Sequence, residues 1–282
     1  MVHIAEQVTA PETIEATLSY FIDTEAMPVT LVGAPGGSDQ RVGGGKPDPH
    51  RVAIRNGRLE PDRFALERNG FRFVRHDTKV VDFFDEDEVR RVYYPEAEQI
   101  IKQVTGASRV FIFDHLQRRR VPGVRDYSRS GPRQPATRVH VDHTAKSGPQ
   151  RVRDLLPDEA EELLKGRVEV INLWRPLFSP LQDAPLAVCD SRTLAADDLI
   201  PSDLVYKERV GETYSVKYNP AHQWYYVPQM RRDEALLLKI ADTRTDIPAR
   251  FMPHTSFTDP TTPPDARPRE SIEIRSLVFH EE

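Results

Sequence analysis

A histidine and an aspartate separated by one residue are the side chains whose types and spacing could do chemistry. His140 and Asp142 lie in the segment 137–144, whose β-branched residues are typical of a short strand. Side chains alternate between the two faces of a strand, so the imidazole and the carboxylate point the same way. Two histidines and one carboxylate can hold a metal ion and leave its other positions open. The pair therefore predicts two-thirds of a metal site.

Three histidines could supply the third ligand. His143 lies on the opposite face of the strand from His140, and His222 lies in a turn, where a histidine is typically at the surface. His254 instead precedes the last strand of the chain, on which Arg269 and Ser271 share one face. We therefore predict His254 as the third ligand.

The elements that must position these ligands are mostly strands. Alternating or continuous apolar residues predict strands at 13–22, 28–32, 51–54, 71–74, 108–115, 137–144, 167–176, 185–190, 213–218, 223–227, 234–242 and 269–279. The 24 prolines favour short elements joined by ordered loops. The pattern predicts a mainly β (α+β) fold, a jelly-roll or cupin-like double-stranded β-helix with a few flanking helices. We expect one domain over 1–282, with N-terminal strands in 1–85 and the β-helix in 86–282.

Helices and loops give further expectations. Helical spacing covers 86–104, where Pro95 should split the helix into two pieces, and a compact helix is predicted at 156–166. The glycine- and proline-rich segment 33–49 reads as a surface loop or a lid, because Pro47 occupies the Ser/Thr position that a phosphate-binding loop needs. The run 118–120 of three arginines is predicted to be a solvated turn or an anion contact.

Composition excludes several classes of protein. The net charge is −5 and the basic residues are dispersed, which argues against nucleic acid as a partner. Cys189 is the only cysteine, so an internal disulfide is impossible and a reducing cytoplasm is the expected compartment. No apolar run is long enough to span a membrane, and the N-terminus does not resemble a signal peptide.

The order of these motifs resembles a known family. His-x-Asp, a distant histidine and Arg-x-Ser on the last strand are similar to the Fe(II)- and 2-oxoglutarate-dependent oxygenases. Segments 171–177, 185–190, 223–226 and 253–257 are similar to one group in particular, which includes gibberellin desaturase and the cephamycin 7-α-hydroxylase component. The resemblance covers roughly residues 90–280.

The resemblance implies the ligands and the residues that hold them. His140, Asp142 and His254 would bind Fe(II), which activates O2, and Arg269 with Ser271 would bind the distal carboxylate of 2-oxoglutarate. Arg275 shares the strand face of Arg269, and Arg267 lies close enough to compete with it. Lys239 is a further candidate, although a lysine whose ammonium reaches the rim of the barrel fits the same pattern.

The substrate is expected to be a small, partly apolar metabolite of secondary metabolism. Asn172, Trp174, Trp224 and Tyr226 offer apolar area with a few hydrogen-bonding groups, which suits a cavity wall. The expected outcome is hydroxylation or desaturation of a C–H bond. Two alternatives stay open at this point: an iron oxygenase of the same fold that does not use 2-oxoglutarate, and a cupin-like binding protein without catalysis.

Overall fold

Fifteen strands dominate the part of the chain that the computed structural model describes, which is residues 10–22, 24, 26–32, 40–43, 45–124 and 133–281. They are β1 Thr13–Ile22, β2 Pro28–Leu31, β3 Gln40–Gly43, β4 Lys46–Asn56, β5 Phe71–Arg75, β6 Arg109–Arg119, β7 His140–Val141, β8 Val168–Pro176, β9 Leu186–Cys189, β10 Leu199–Val205, β11 Val210–Val216, β12 Trp224–Tyr226, β13 Glu234–Asp242, β14 His254–Ser256 and β15 Glu270–Phe279.

The strands form two sheets. The larger has the order β1-β4-β12-β9-β14-β7-β11-β10-β2-β3, and the smaller has the order β5-β13-β8-β15-β6. Apolar side chains of both sheets meet in one buried cluster, which includes Val141 and Val188 from the larger sheet and Val170, Leu238 and Leu277 from the smaller. The two sheets therefore enclose a common core, as the predicted jelly-roll requires.

The helices are short and lie outside the sheets. They are α1 Leu66–Asn69, α2 Glu86–Glu88, α3 Tyr94–Thr105, α4 Ser147–Leu155 and α5 Ala160–Leu163, with a π-helical turn at Val89–Tyr93 between α2 and α3. Helix α3 packs against the outer face of the smaller sheet through Ala97, Ile100 and Ile101. None of the helices in the described residues is long and apolar enough to cross a lipid bilayer.

Two helix predictions were wrong in detail. Pro95 does not split the helix, because the π-turn before it accommodates the missing N–H and the ring in one continuous helical segment. The predicted helix at 156–166 is reduced to α5, and the longer α4 precedes it. Gly148 and Pro149 in the first turn of α4 weaken the helical pattern in the sequence. A proline is nevertheless compatible with the start of a helix. The Ser147 N–H at this end of α4 donates to Thr144 Oγ1 at 3.0 Å.

The segment 33–49 is not simply a loop. Residues 40–43 form β3 and 46–49 begin β4, while 33–39 and 44 lie outside the described residues. Pro47 and Pro49 are tolerated in β4 because β12 pairs only with Ile54–Asn56, so no second strand of the described residues pairs with the early part of β4. The arginines 118 and 119 likewise belong to β6 rather than to a turn. Strand β10 was not predicted, since Pro201 interrupts its pattern.

An ionic cluster lies at one end of the smaller sheet and accounts for Lys239. The side chain of Lys239 is fully buried, and its Nζ lies 3.0 Å from Glu67, 2.8 Å from Glu169 and 2.8 Å from Asp242. Arg167 Nη2 contacts the same three carboxylates. Burial works against the charge of Lys239, but the carboxylates outweigh it and raise its pKa. The lysine therefore neutralises a structural cluster and is not free to bind a ligand.

Candidate metal centre and cosubstrate site

Two neighbouring strands of the larger sheet bring the predicted metal ligands together. His254 in β14 is the direct antiparallel partner of His140 in β7, and their ring centroids lie 4.4 Å apart. Asp142 follows β7, and its Oδ1 lies 3.3 Å from His140 Nε2. One ligand atom from each of the three residues lies within 4.8 Å of the others. Strand parity and strand pairing thus place two imidazoles and one carboxylate around one point.

Hydrogen bonds orient these ligands. His140 Nδ1 donates to the Arg138 carbonyl at 2.7 Å, and His254 Nδ1 contacts the Met252 carbonyl at 3.4 Å. A carbonyl can only accept, so Nδ1 carries the proton and the lone pair of each ring is on Nε2. Asn172 Nδ2 donates to Asp142 Oδ2 at 2.8 Å. Three ligand atoms that converge on one point, on side chains fixed by hydrogen bonds to their other polar atoms, suit a bound cation.

The electrostatics of the centre favour metal binding near neutral pH. Burial, with a smaller effect from His140, lowers the pKa of His254 to about 4. Burial would raise the pKa of Asp142, but its contact with the imidazole of His140 and the proximity of His254 hold that pKa well below its usual range. At pH 7 the centre therefore presents a neutral imidazole and a carboxylate, the forms that bind a metal ion.

Arg269 lies buried just before β15, and no carboxylate of the described residues forms an ion pair with its guanidinium. It is 2% exposed; its Nε donates to Ser271 Oγ at 3.0 Å and its Nη1 to the Ala184 carbonyl at 2.8 Å. Its Cζ lies 4.9 Å from the ring centre of Trp174. Burial, together with the charge of Arg118, lowers the pKa of Arg269 to about 9. Glu273 and Asp183 act in the opposite direction with smaller effects, and Asp183 accepts from the backbone N–H of Arg269 at 3.0 Å. A buried guanidinium that has anionic neighbours but no direct ion pair suits an anionic ligand.

The rival cations are engaged elsewhere. Arg275 forms a two-point ion pair with Asp114, with both N–O distances 2.6 Å. Arg267 donates to Glu270 at 2.6 Å and has an exposed side chain. Of these arginines, only Arg269 is both buried and without a carboxylate.

The rival histidines do not join the metal ligands. His222 is buried rather than exposed; its Nε2 lies 3.0 Å from Asp198 Oδ2, and its ring stacks on Tyr20. His143 turns its Nδ1 to Ser147 Oγ at 3.1 Å. Both side chains have local partners that account for them.

The four predicted substrate contacts divide into two pairs. Asn172 holds Asp142, and Trp174 lies against Arg269, so both are beside the centre. Trp224 and Tyr226 point to the opposite face of the larger sheet, where they pack with β1 in a separate core. Trp224 Nε1 donates to Tyr20 Oη at 2.7 Å. The structure therefore does not bring these two aromatics to the cavity, because Tyr225 is the residue of β12 that faces the inter-sheet core.

A cavity of about 410 Å³ adjoins His140 and Asp142. Its wall includes Arg118, which the sequence placed in a turn. Glu273 was missed, although it lies on β15 between Ser271 and Arg275 and shares their face, so parity alone could have indicated it. Burial and the charge of Asp142 raise the pKa of Glu273 to about 7.

Comparisons with known proteins identify the family. A family model described as an oxidoreductase/YMDC permease-like domain matches residues 18–279. The Fe(II)/2-oxoglutarate-dependent dioxygenase nvfI of Aspergillus novofumigatus is 34% identical over 239 residues, which cover 82% of this chain and 84% of the relative. The hydroxylase/desaturase efuI of Hormonema carpetanum is 36% identical over 251 residues, with 82% and 84% covered.

Solved structures give the same result. The iron and alpha-ketoglutarate-dependent endoperoxidase NvfI superposes with a TM-score of 0.84 at 30% identity, covering 96% of this chain and 99% of that one. The fold and site define a non-haem iron oxygenase. The chain belongs to the Fe(II)/2-oxoglutarate-dependent dioxygenases.

Proposed function

We propose that His140, Asp142 and His254 hold the catalytic Fe(II) of this dioxygenase. The supporting observation is the convergence of three ligand atoms within 4.8 Å, with the histidine Nδ1 atoms turned to backbone carbonyls. This donor set is the one that leaves three adjacent positions of an octahedral ion open. Asn172 fixes the carboxylate through its 2.8 Å hydrogen bond and keeps Oδ1 of Asp142 turned toward His140.

Arg269 and Ser271 are the residues proposed to bind the distal carboxylate of 2-oxoglutarate. The guanidinium is held by the Ala184 carbonyl and by Ser271 Oγ, and it rests on Trp174. A planar guanidinium held in this way is pre-oriented for two-point binding of a carboxylate. Arg275 remains a weaker candidate, because Asp114 occupies its donors.

Bound Fe(II), 2-oxoglutarate and O2 supply the oxidation of a substrate C–H bond while 2-oxoglutarate is decarboxylated to succinate. The role of this chain is positioning. Asn172 and the backbone carbonyls keep the metal ligands in one geometry, and the buried Arg269 with Trp174 keeps water from the cosubstrate end of the barrel.

The reaction is proposed to be a hydroxylation or a desaturation of a small metabolite, and the chain is proposed to belong to the group that includes gibberellin desaturase and the cephamycin 7-α-hydroxylase component. The name of the relative efuI, hydroxylase/desaturase, supports this assignment, as does a cavity of a size that suits small molecules.

We infer a single domain over 1–282 in which 1–85 completes the β-helix of 86–282, since β1, β4 and β5 extend its two sheets. Phe21 and Pro28 line the cavity, which supports a covering role for the N-terminal strands. A cytoplasmic location, without nucleic acid or membrane as partner, also remains a proposal.

Succinate formation from 2-oxoglutarate, followed with Arg269→Lys and Arg275→Lys, tests the cosubstrate assignment. We expect Arg269→Lys to raise the 2-oxoglutarate concentration for half-maximal rate at least tenfold and to retain iron, because lysine cannot reproduce the two parallel hydrogen bonds. Arg275→Lys should change this concentration less. The reverse order would transfer the role to Arg275.

A further inference from the structure

Arginines dominate the charged groups of the cavity beside the metal centre. Among the described residues, six arginines line it, against four carboxylates. The arginines are Arg118, Arg133, Arg138, Arg151, Arg209 and Arg275. The protein as a whole carries a net charge of −5, so this excess of positive charge is local. Bound Fe(II) and 2-oxoglutarate have opposite double charges and leave the excess unchanged.

The carboxylates of the cavity already have partners. Asp142 belongs to the metal centre, and Asp114 is paired with Arg275. Asp154 accepts from Gln150 Nε2 at 2.9 Å, and Glu212 accepts from the Thr144 hydroxyl. Their charges offset part of the positive charge of the arginines, but within the described residues none of them forms an ion pair with Arg151 or Arg209.

Two of these arginines have no ion pair with any carboxylate of the described residues. Arg151, in α4, is half-buried, and its Cζ lies 4.8 Å from the ring centre of Phe113. Arg209, in the turn between β10 and β11, is exposed and lies 4.0 Å from the ring centre of Tyr206. Each cation is thus held by an aromatic face, which leaves its N–H groups available. Burial lowers the pKa of Arg151, the charge of Arg209 lowers it further, and Asp114 and Asp154 offset part of this effect, so the two cations are close enough to repel each other.

The rest of the wall is largely apolar, with Phe21, Phe113, Val139 and Leu204 among its members. Such a cavity suits a molecule with an apolar body and one anionic end. We propose that the substrate carries a carboxylate, which Arg151 and Arg209 bind while its apolar body lies toward His140 and Asp142. Relief of the repulsion between the two guanidinium groups adds to the attraction of the anion. This inference rests on the proposed function, since it names the substrate class of the same site.

The test uses protein loaded with Fe(II) and saturating 2-oxoglutarate without oxygen, titrated by calorimetry. The probes are octanoic acid, naphthoic acid and adamantane carboxylic acid, each compared with its methyl ester. We expect at least one acid to bind at least tenfold more tightly than its ester. Arg151→Gln/Arg209→Gln should reduce that preference to less than threefold. Arg209 is exposed, so Arg209→Gln alone provides the test if the double variant does not fold.

The matched control is Arg153→Gln/Arg244→Gln, which removes the same charge from the exposed pairs with Glu161 and Asp246. It should retain the preference for the acid. The proposal is overturned if no acid binds, if the esters bind equally well, or if the control loses the preference to the same extent. A tenfold loss of 2-oxoglutarate affinity in the Arg151 and Arg209 variant would also overturn it, by assigning the pair to the cosubstrate. Failure of the unmodified protein to bind Fe(II) and 2-oxoglutarate is seen before any probe is added, and contradicts the proposed function instead.

Discussion

At the scale of single residues, Asn172 joins the smaller sheet to the metal centre. Its Nδ2 donates to Asp142 Oδ2 from across the barrel, so β8 determines the orientation of a ligand carried by the larger sheet. Loss of such a supporting hydrogen bond typically costs about 10–100-fold in metal affinity. We expect Asn172→Ala to weaken Fe(II) binding by this factor in an equilibrium titration. Asn219→Ala removes an amide that is bound to Asp198 and contacts none of the metal ligands, and should leave the affinity unchanged. Equal affinities in the two variants would refute the supporting role.

Glu273 gives a second prediction at this scale. Burial and Asp142 raise its pKa from 4.5 to about 7, so between these values the folded protein binds more protons than the unfolded chain. The contribution of this group to stability is therefore present below pH 4.5 and is lost as the pH rises toward 7. We expect metal-free protein to lose on the order of 1 kcal/mol or more between pH 5 and 8 in urea unfolding. Glu273→Gln should reduce this loss. Glu208→Gln, at an exposed position, should leave the loss unchanged. If the free energy of unfolding depends on pH in the same way in all three proteins, the raised pKa of Glu273 is contradicted.

At the scale of elements, strand parity decides which residues face the cavity. The shared faces of His140 with Asp142 and of Arg269 with Ser271 could be predicted from the sequence, because period-two alternation is a local pattern. The face of β12 could not, since Trp224, Tyr225 and Tyr226 are all aromatic and all buried. Only the pairing of β12 with β4 and β9 reveals which of them faces the inter-sheet core. The cationic pair Arg151 and Arg209 was also hidden, because α4 and the β10–β11 turn are far apart in the chain.

Two substitutions on β12 test this orientation, because they should change the free energy of unfolding differently. Trp224→Phe removes the hydrogen bond to Tyr20 and part of a fully buried ring, and should lower the free energy of unfolding by at least about 1 kcal/mol. Tyr226→Phe removes a buried hydroxyl that has no hydrogen-bond partner in the described residues, so stability should be unchanged or higher. Both variants should retain the affinity for whichever acid probe binds the unmodified protein. A loss of probe affinity in Tyr226→Phe would show that Tyr226 faces the cavity and would contradict this orientation of β12.

At the scale of the whole molecule, the Lys239 cluster ties β8, β13 and α1 together at the end of the smaller sheet. Two cations there serve three carboxylates, two of which are fully buried. Removing one partner of a buried ionic group typically costs 3–5 kcal/mol, because the opposite charge is left without compensation. We expect Lys239→Met to reduce the free energy of unfolding by about this amount in urea denaturation. Lys165→Met, which breaks an exposed pair with Glu162, should cost less than about 1 kcal/mol. Similar losses in the two variants would show that the cluster does not stabilise the fold.

The central claim is that one iron site is formed by His140, Asp142 and His254, and the most direct measurement is the iron content of protein prepared without oxygen. The unmodified chain is expected to hold one Fe(II) per molecule. Asp142→Ala and His254→Ala should each lose it, whereas His222→Ala, which alters a histidine paired with Asp198, should retain it. Retention of a full equivalent of iron by Asp142→Ala and its loss from His222→Ala would contradict the assignment of the metal centre.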